Sequence, residues 1–314
     1  MKKIISIFIC AVLCMTVMCS CGKTDGTDDD SLKIVCTAFP QYDYVKNILG
    51  TSDGVKLLLD NGADLHSYEP TAADIIEIAS ADLFIYIGGV SDSWIEGTLK
   101  SANSDTLRTV ALMDTVETYD VDYIAGMEKE HNHAHENEHE KDEHIWLSLR
   151  NSAEITKVLC DIICEIDSDN AEKYRLNAES YINSLNTLDD EYKSVIESSK
   201  RTVLLFADRF PFRYLIEDYN LDYYAAFSGC SSESEASFQT MAFLIDKTKE
   251  LNLPAVIITE GSDGSIAEMI CNETGVKTLT LDSCQSVSSA DIENGTTYLE
   301  IMKNNLEILR EALN

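Results

Sequence analysis

The chain has 314 residues, 45% of them apolar, enough for one large core or two domains of ordinary size and too much for wholesale disorder. Its formal net charge is −31, and without Lys2 and Lys3 of the first twenty residues it becomes −33. Such a surface repels nucleic acid and anionic headgroups and concentrates cations, so a nucleic-acid partner is not expected.

Lys2 and Lys3 precede the apolar run Ile4–Met18, the layout of a secretory signal and too short for a comfortable membrane span. The run ends Met18-Cys19-Ser20-Cys21, which resembles a bacterial lipobox with Cys21 as the modified cysteine. A plain export signal with a cysteine nearby is the alternative. Small residues before Cys21 and the polar GKTDGTDDDS after it favour lipidation. On this reading residues 1–20 are a signal peptide and 21–31 a lipidated, flexible tether. Acyl chains on Cys21 would hold the protein on the extracytoplasmic face of the cell membrane, at about 0.8 kcal/mol per buried CH2. Six cysteines remain in the body, with no C-x-x-C pair. Cys160 and Cys164, one helical turn apart, read as core packing, and Cys271 with Cys284 is the first pair to test for a disulfide.

The body alternates strands and helices. Leu32–Thr37, Val55–Leu59, Leu83–Ile87 and Leu107–Leu112 read as strands, with helices over Phe39–Leu49, Pro70–Ser80 (proline opening it) and Ser91–Asn103. Near-continuous apolar strands between helices indicate a parallel sheet covered on both faces, so 32–150 is a first α/β lobe. Residues 151–199 are helical, interrupted near Asp167–Asp169, with Tyr174, Tyr181, Leu185, Leu188, Tyr192 and Val195 on one stripe. Some thirty helical residues would extend roughly 45 Å. That helix is either a rigid strut joining two lobes or a long surface helix of one. From 200 to 314 the alternation repeats, with strands over Val203–Phe206, Leu221–Ala225, Ala255–Thr259 and Val276–Leu281. The expected fold is α/β: two parallel-sheet βα lobes joined by one long rigid helix, with a cleft between the lobes at the strand C-termini.

Five of the six histidines fall within Glu128–His144, where Ala134 is the one apolar side chain. His131, His133, His135 and His139 lie in a tract that cannot pack, so 128–143 reads as a metal-gathering loop or as a solvated tract with adventitious affinity. His144 differs, because Ile145-Trp146-Leu147 follow it and the chain becomes apolar again. His135-Glu136-Asn137-Glu138-His139 fits the H-E-x-x-H of zinc proteases, but that motif needs a helix with an apolar back, and this tract has none. No enzyme is expected. The sixth histidine, His66, stands in GADLHSYEPT just after the second strand, where an isolated loop histidine is commonly a surface residue.

GADLHSYEPT, the His- and acid-rich loop, and DEHIWLS stand in the order that resembles the ZnuA/TroA-like solute-binding lipoproteins of zinc and manganese ABC importers. The likeness runs through SGCSSESEAS (228–237), LPAVIITE (253–260) and VKTLTLD (276–282). It implies one ion held in a metal cleft between the lobes, with His66 and His144 from the first lobe and Asp282 from the second. The usual third position departs, since Phe206-Ala207-Asp208-Arg209 puts alanine where a ligand belongs. Asp208 reaching in, a water, or Glu235 moving over are the options, and Asp208 could equally serve a salt bridge with Arg209. With His66, His144, Asp208 and Asp282 the ligand charge is −2, and N2O2 suits Zn2+ or Mn2+, the His-rich loop favouring Zn2+. The resemblance further implies a monomeric extracytoplasmic receptor that delivers its ion to an ABC permease and ATPase. A surface metal-buffering or adhesion lipoprotein with no transport role is the competing class.

Overall fold

The structure, a computed structural model, describes residues 32–60, 65–102, 106–127, 140–229, 231, 235–285 and 287–314. The signal peptide, the tether with Cys21 and the histidines 131, 133, 135 and 139 lie outside the described residues. In the first half, β1 (Ile34–Cys36), β2 (Val55–Leu57), β3 (Leu83–Tyr86) and β4 (Arg108–Ala111) form one parallel sheet in the order β2-β1-β3-β4. Its helices are α1 (Phe39–Leu49), α2 (Ala72–Ala79) and α3 (Ile95–Ala102). Next come α4 (Leu149–Ile166) and α5 (Ala171–Glu197). The second sheet, β5 (Val203–Phe210), β6 (Asp222–Ser228), β7 (Ala255–Thr259) and β8 (Lys277–Leu281), has the order β6-β5-β7-β8. Helices α6 (Arg213–Tyr219), α7 (Phe238–Glu250), α8 (Ser265–Thr274), α9 (Ser289–Glu293) and α10 (Tyr298–Ala312) accompany it. In both sheets the strand order therefore reverses at the same place, between the first and third strands, which is where open α/β sheets bind ligands.

Strand alternation sorts side chains into layers. Ile34 and Cys36 enter a core shared by both lobes, while Val35 turns to an outer cluster with Leu58, Ile78, Phe84 and Ile95. In β5, Leu204 and Phe206 point to the shared core, and Leu205 and Ala207 to an outer cluster with Met241, Val256 and Ile270. The shared core is continuous from Ile34 through Tyr181 and Leu185 of α5 to Leu309 of α10. The 27-residue α5 spans about 40 Å at 1.5 Å per residue and packs against both α1 and α10. It is a strut with a buried face.

Buried polar bonds fix the join. Ser152 Oγ lies 2.7 Å from Tyr44 Oη and 2.9 Å from Tyr298 Oη, so one serine of α4 links α1 to α10. The Tyr181 hydroxyl donates to Asp43 Oδ2 at 3.0 Å, and the Trp146 indole N–H donates to the Ser283 carbonyl at 2.8 Å.

Some boundaries differ from expectation. Helix α2 starts after Pro70, because Thr71 is the cap: its hydroxyl accepts from Asp74 N while Asp74 Oδ2 accepts from Thr71 N. Cys271 and Cys284 are both free, Cys271 Sγ lying 3.3 Å from Thr278 Oγ1 while Cys284 is buried in the shared core. Cys160 and Cys164 are likewise free and buried, their sulfurs 3.9 Å apart. Residues 140–143, grouped with the loop by composition, are already placed. Lys141 pairs with Asp120 as an antiparallel bridge, Asp142 N bonds Tyr119 O at 2.9 Å, and Glu143 is buried.

Candidate metal centre

The segments leaving the strand C-termini carry the candidate donors. His66 lies in the single turn Leu65–Ser67 beyond β2, anchored by buried Leu65. Its Nδ1 is 2.7 Å from Ser91 Oγ, in the turn Val90–Asp92 that follows β3. His144 is fully buried, and both its backbone N and its Nδ1 reach Asp142 Oδ1, at 2.9 and 3.0 Å. A carboxylate accepts, so Nδ1 carries the proton and Nε2 keeps its lone pair. That Nε2 is buried with no hydrogen-bond partner among the described residues, which leaves its lone pair available to a cation. The two rings sit 5.5 Å apart, centroid to centroid, inclined by 60°. Burial pushes the His144 pKa down, but Asp142, then Glu143 and Glu260, outweigh it and hold it above the ordinary imidazole value.

The second sheet closes on His144 from the other side. A Cβ on Gly229, just past β6, would stand 3.1 Å from His144 Cε1 and 2.7 Å from the Phe210 carbonyl, so glycine is what permits this approach. Asp282 follows β8, and its backbone N and O are bonded by the Asn305 side chain at 2.9 and 2.7 Å. Cys284 N donates to Asp282 Oδ1 at 2.7 Å, which closes a tight turn and places Cys284 at φ 60°. Ser283, inside this turn, is the residue whose carbonyl receives Trp146, two residues after His144. Both lobes' candidate segments are thus bonded to each other directly.

Glu260, the residue after β7, is a further candidate donor that the sequence reading did not single out. Its Oε2 accepts from Ser283 N at 2.8 Å and its Oε1 from the Ser283 hydroxyl. Burial, then the neighbouring Asp282 carboxylate, push Glu260 up to about 7. Burial also raises Asp282. Two carboxylates crowded in this way are relieved by a cation. The available signal was positional: Glu260 ends an apolar strand at the edge where ligands gather.

Asp208 lies at an irregularity in β5, between Phe206 and Arg209. Its Oδ2 accepts from Thr259 N and Thr259 Oγ1 at 3.1 and 2.8 Å, and its Oδ1 from Arg209 N at 2.8 Å. This carboxylate ties the end of β5 to the end of β7. Glu235 is exposed and lines a groove beside Met241 and Met269, between α7 and α8. Among the described residues no three His, Cys, Asp or Glu side chains are already drawn tightly enough to hold a metal ion. The imidazoles belong to one lobe and the Asp282–Glu260 pair to the other.

Two parallel sheets of one topology, with imidazoles at the strand ends of one and carboxylates at those of the other, define a two-lobed α/β binding protein. Residues 34–312 match the family described as zinc-uptake complex component A, periplasmic, and the chain belongs to that family. It is 30% identical over 321 residues to the high-affinity zinc uptake system protein ZnuA of Bacillus subtilis, covering 99% of this chain and 98% of that protein. It is 29% identical over 316 residues to the zinc-binding lipoprotein AdcA of Streptococcus pneumoniae, of which it spans 61%. The metal-dependent lipoprotein YcdH of Bacillus subtilis superposes with a TM-score of 0.76 at 27% identity, covering 90% of this chain and 99% of that one. The Zn(II)-bound ZnuA-like domain of pneumococcal AdcA gives 0.74 at 26%, again over 90% and 99%.

Proposed function

We propose that this protein is the extracytoplasmic receptor of an ABC importer, capturing Zn2+ as cargo and handing it to a membrane permease driven by its ATPase. The observation that carries the reading is the buried Nε2 of His144, which has no hydrogen-bond partner among the described residues, beside the His66 ring and within the electrostatic influence of Glu260 from the other lobe. His66, His144 and Asp282 are the donors, with Glu260 favoured over Asp208 as the fourth. Glu260 acts electrostatically on both His144 and Asp282, whereas Asp208 already accepts three hydrogen bonds at the β5–β7 end. Either carboxylate gives an N2O2 set of charge −2, which neutralises a divalent ion. Zinc is preferred to manganese for its affinity for imidazole, supported by the zinc named in the relatives.

Capture is ligand exchange. His131, His133, His135 and His139 gather ions, and the interlobe donors chelate one. Lipid on Cys21 keeps the receptor, a monomer, at the membrane surface, and the α5 strut with the Trp146–Ser283 bond limits lobe movement. Calorimetry of the chain with 128–139 deleted, against His66→Ala, Glu260→Gln and Asp208→Asn, tests this. One tight zinc that survives the deletion, is lost in His66→Ala and is weakened in Glu260→Gln supports the site. Zinc binding that vanishes with the loop alone sinks it.

A further inference from the structure

The turn that precedes His144 contains a carboxylate to which the transport reading gives no task. Glu143 is buried, and its Oε1 accepts from Ser91 N at 2.8 Å while its Oε2 has no hydrogen-bond partner among the described residues. An imidazole lies beside that oxygen: His66 Nδ1 is 3.8 Å away. His66 Nδ1 is in turn bonded to the hydroxyl of Ser91, the residue whose N–H holds Glu143. Gly89 makes the arrangement possible, since a Cβ there would stand 2.1 Å from Glu143 Oε1. Nearby Asp92, also buried with an unpartnered Oδ1, is pushed up to about 6 by burial, with Glu143 adding to the rise.

Resting on the zinc-receptor reading, we infer that Glu143 is a positioning residue for the metal site, serving His66 as Asp142 serves His144. The tripeptide Asp142-Glu143-His144 then supplies one ligand and the supporting carboxylates for both histidines. When Nε2 of an imidazole binds a dication, positive charge spreads to its Nδ1–H, and a carboxylate behind the ring stabilises it. With Ser91 fixing the ring's rotation, the Glu143 carboxylate provides that charge at 3.8 Å. That oxygen is buried without a bonding partner among the described residues, a cost in stability that a cation at the site offsets. Glu143 therefore favours the loaded state by opposing the empty one.

A residue with a purely structural task would behave differently, and the sign of one measurement separates the two. The full chain and its Glu143→Gln variant are compared for zinc affinity by competition with a chromophoric chelator, and for zinc-free melting temperature. The expected result is zinc affinity lower by about 10- to 100-fold, as for other outer-shell partners of metal-bound histidine, with a zinc-free melting temperature equal to or above that of the parent. Ser91→Ala, which removes the hydroxyl at His66 but keeps the N–H to Glu143, also weakens zinc. Unchanged zinc affinity in Glu143→Gln overturns the inference, as does a zinc-free melting temperature that falls. A parent chain that binds no zinc sinks the transport reading and this inference together; a parent that binds zinc and a variant that binds it equally well sink this inference alone.

Discussion

His66 and His144 lie with ring centroids 5.5 Å apart, and each Nδ1 is held by a polar partner of its own, Ser91 Oγ at 2.7 Å and Asp142 Oδ1 at 3.0 Å. Both rings are therefore oriented before any ion arrives, so little conformational entropy is lost on chelation. Replacing either histidine by alanine abolishes tight one-to-one zinc binding while leaving the fold intact. Circular dichroism beside calorimetry checks both halves of that statement, and tight binding that persists in both variants removes the pair from the site.

With the proposed ligand set, zinc affinity is expected to depend on pH through His144. Its folded-state pKa is raised above the ordinary value, by Asp142 chiefly, against burial. Protons therefore compete for Nε2 at a higher pH than they would for a free imidazole of about 6.5. Affinity is flat in mildly alkaline solution and declines from above pH 6.5 downward, by about tenfold per unit for each histidine that must be deprotonated. In the zinc-free protein the sign reverses. A raised imidazole pKa contributes stability that is complete below the unfolded value and is lost as pH rises through the folded one. Binding isotherms from pH 5 to 8 test the first statement, and Asp142→Asn should move the decline to lower pH.

Asp43 gives a separate stability prediction at the lobe junction. It is buried, and burial pushes it up to about 6 despite the bond from Tyr181. The folded state then holds its proton more tightly than the unfolded chain does, so stability is fully present below about pH 4 and is lost as pH rises to about 6. Asp43→Asn removes that loss and raises stability at pH 7 by up to about 3 kcal/mol, with no gain at pH 4. Urea denaturation at the two pH values measures it. An equal effect at both would show that the carboxyl does not titrate in this window.

Trp146 joins the lobes next to the site. Trp146→Phe keeps the apolar bulk but leaves the Ser283 carbonyl without the bond it receives from Nε1 at 2.8 Å. Destabilisation of about 1–3 kcal/mol is expected from the buried, unmet acceptor. Because Ser283 adjoins Asp282, zinc affinity should fall in the same variant. A stable variant with unchanged affinity would mean the lobes are held without this bond.

Local pattern was enough for the elements, and not for their meeting. Phe39–Leu49 and Ala255–Thr259 have the bounds that periodicity and apolar runs indicate, because those signals are properties of neighbouring residues. As candidates, His66 and His144 stand in motifs around a His-rich tract and Asp282 comes through the resemblance, and strand-end placement follows once the strands are known. Composition could not separate 140–143 from the loop, since Asp142 and Glu143 look like more of the same acid-rich tract. Only burial against Tyr119, Ser91 and His66 distinguishes them. Ala207 stands where the resemblance puts a ligand, and its side chain packs with Leu205 and Met241 on the outer face of β5. Glu260 acquires its character from Ser283 and Asp282, both more than twenty residues on. The sequence by itself determined which segments are strands, helices and candidate ligands. The tertiary structure decided strand order, the single core shared by both lobes, and which carboxylates stand behind which histidine. Those depend on contacts between distant residues, and no local pattern encodes them.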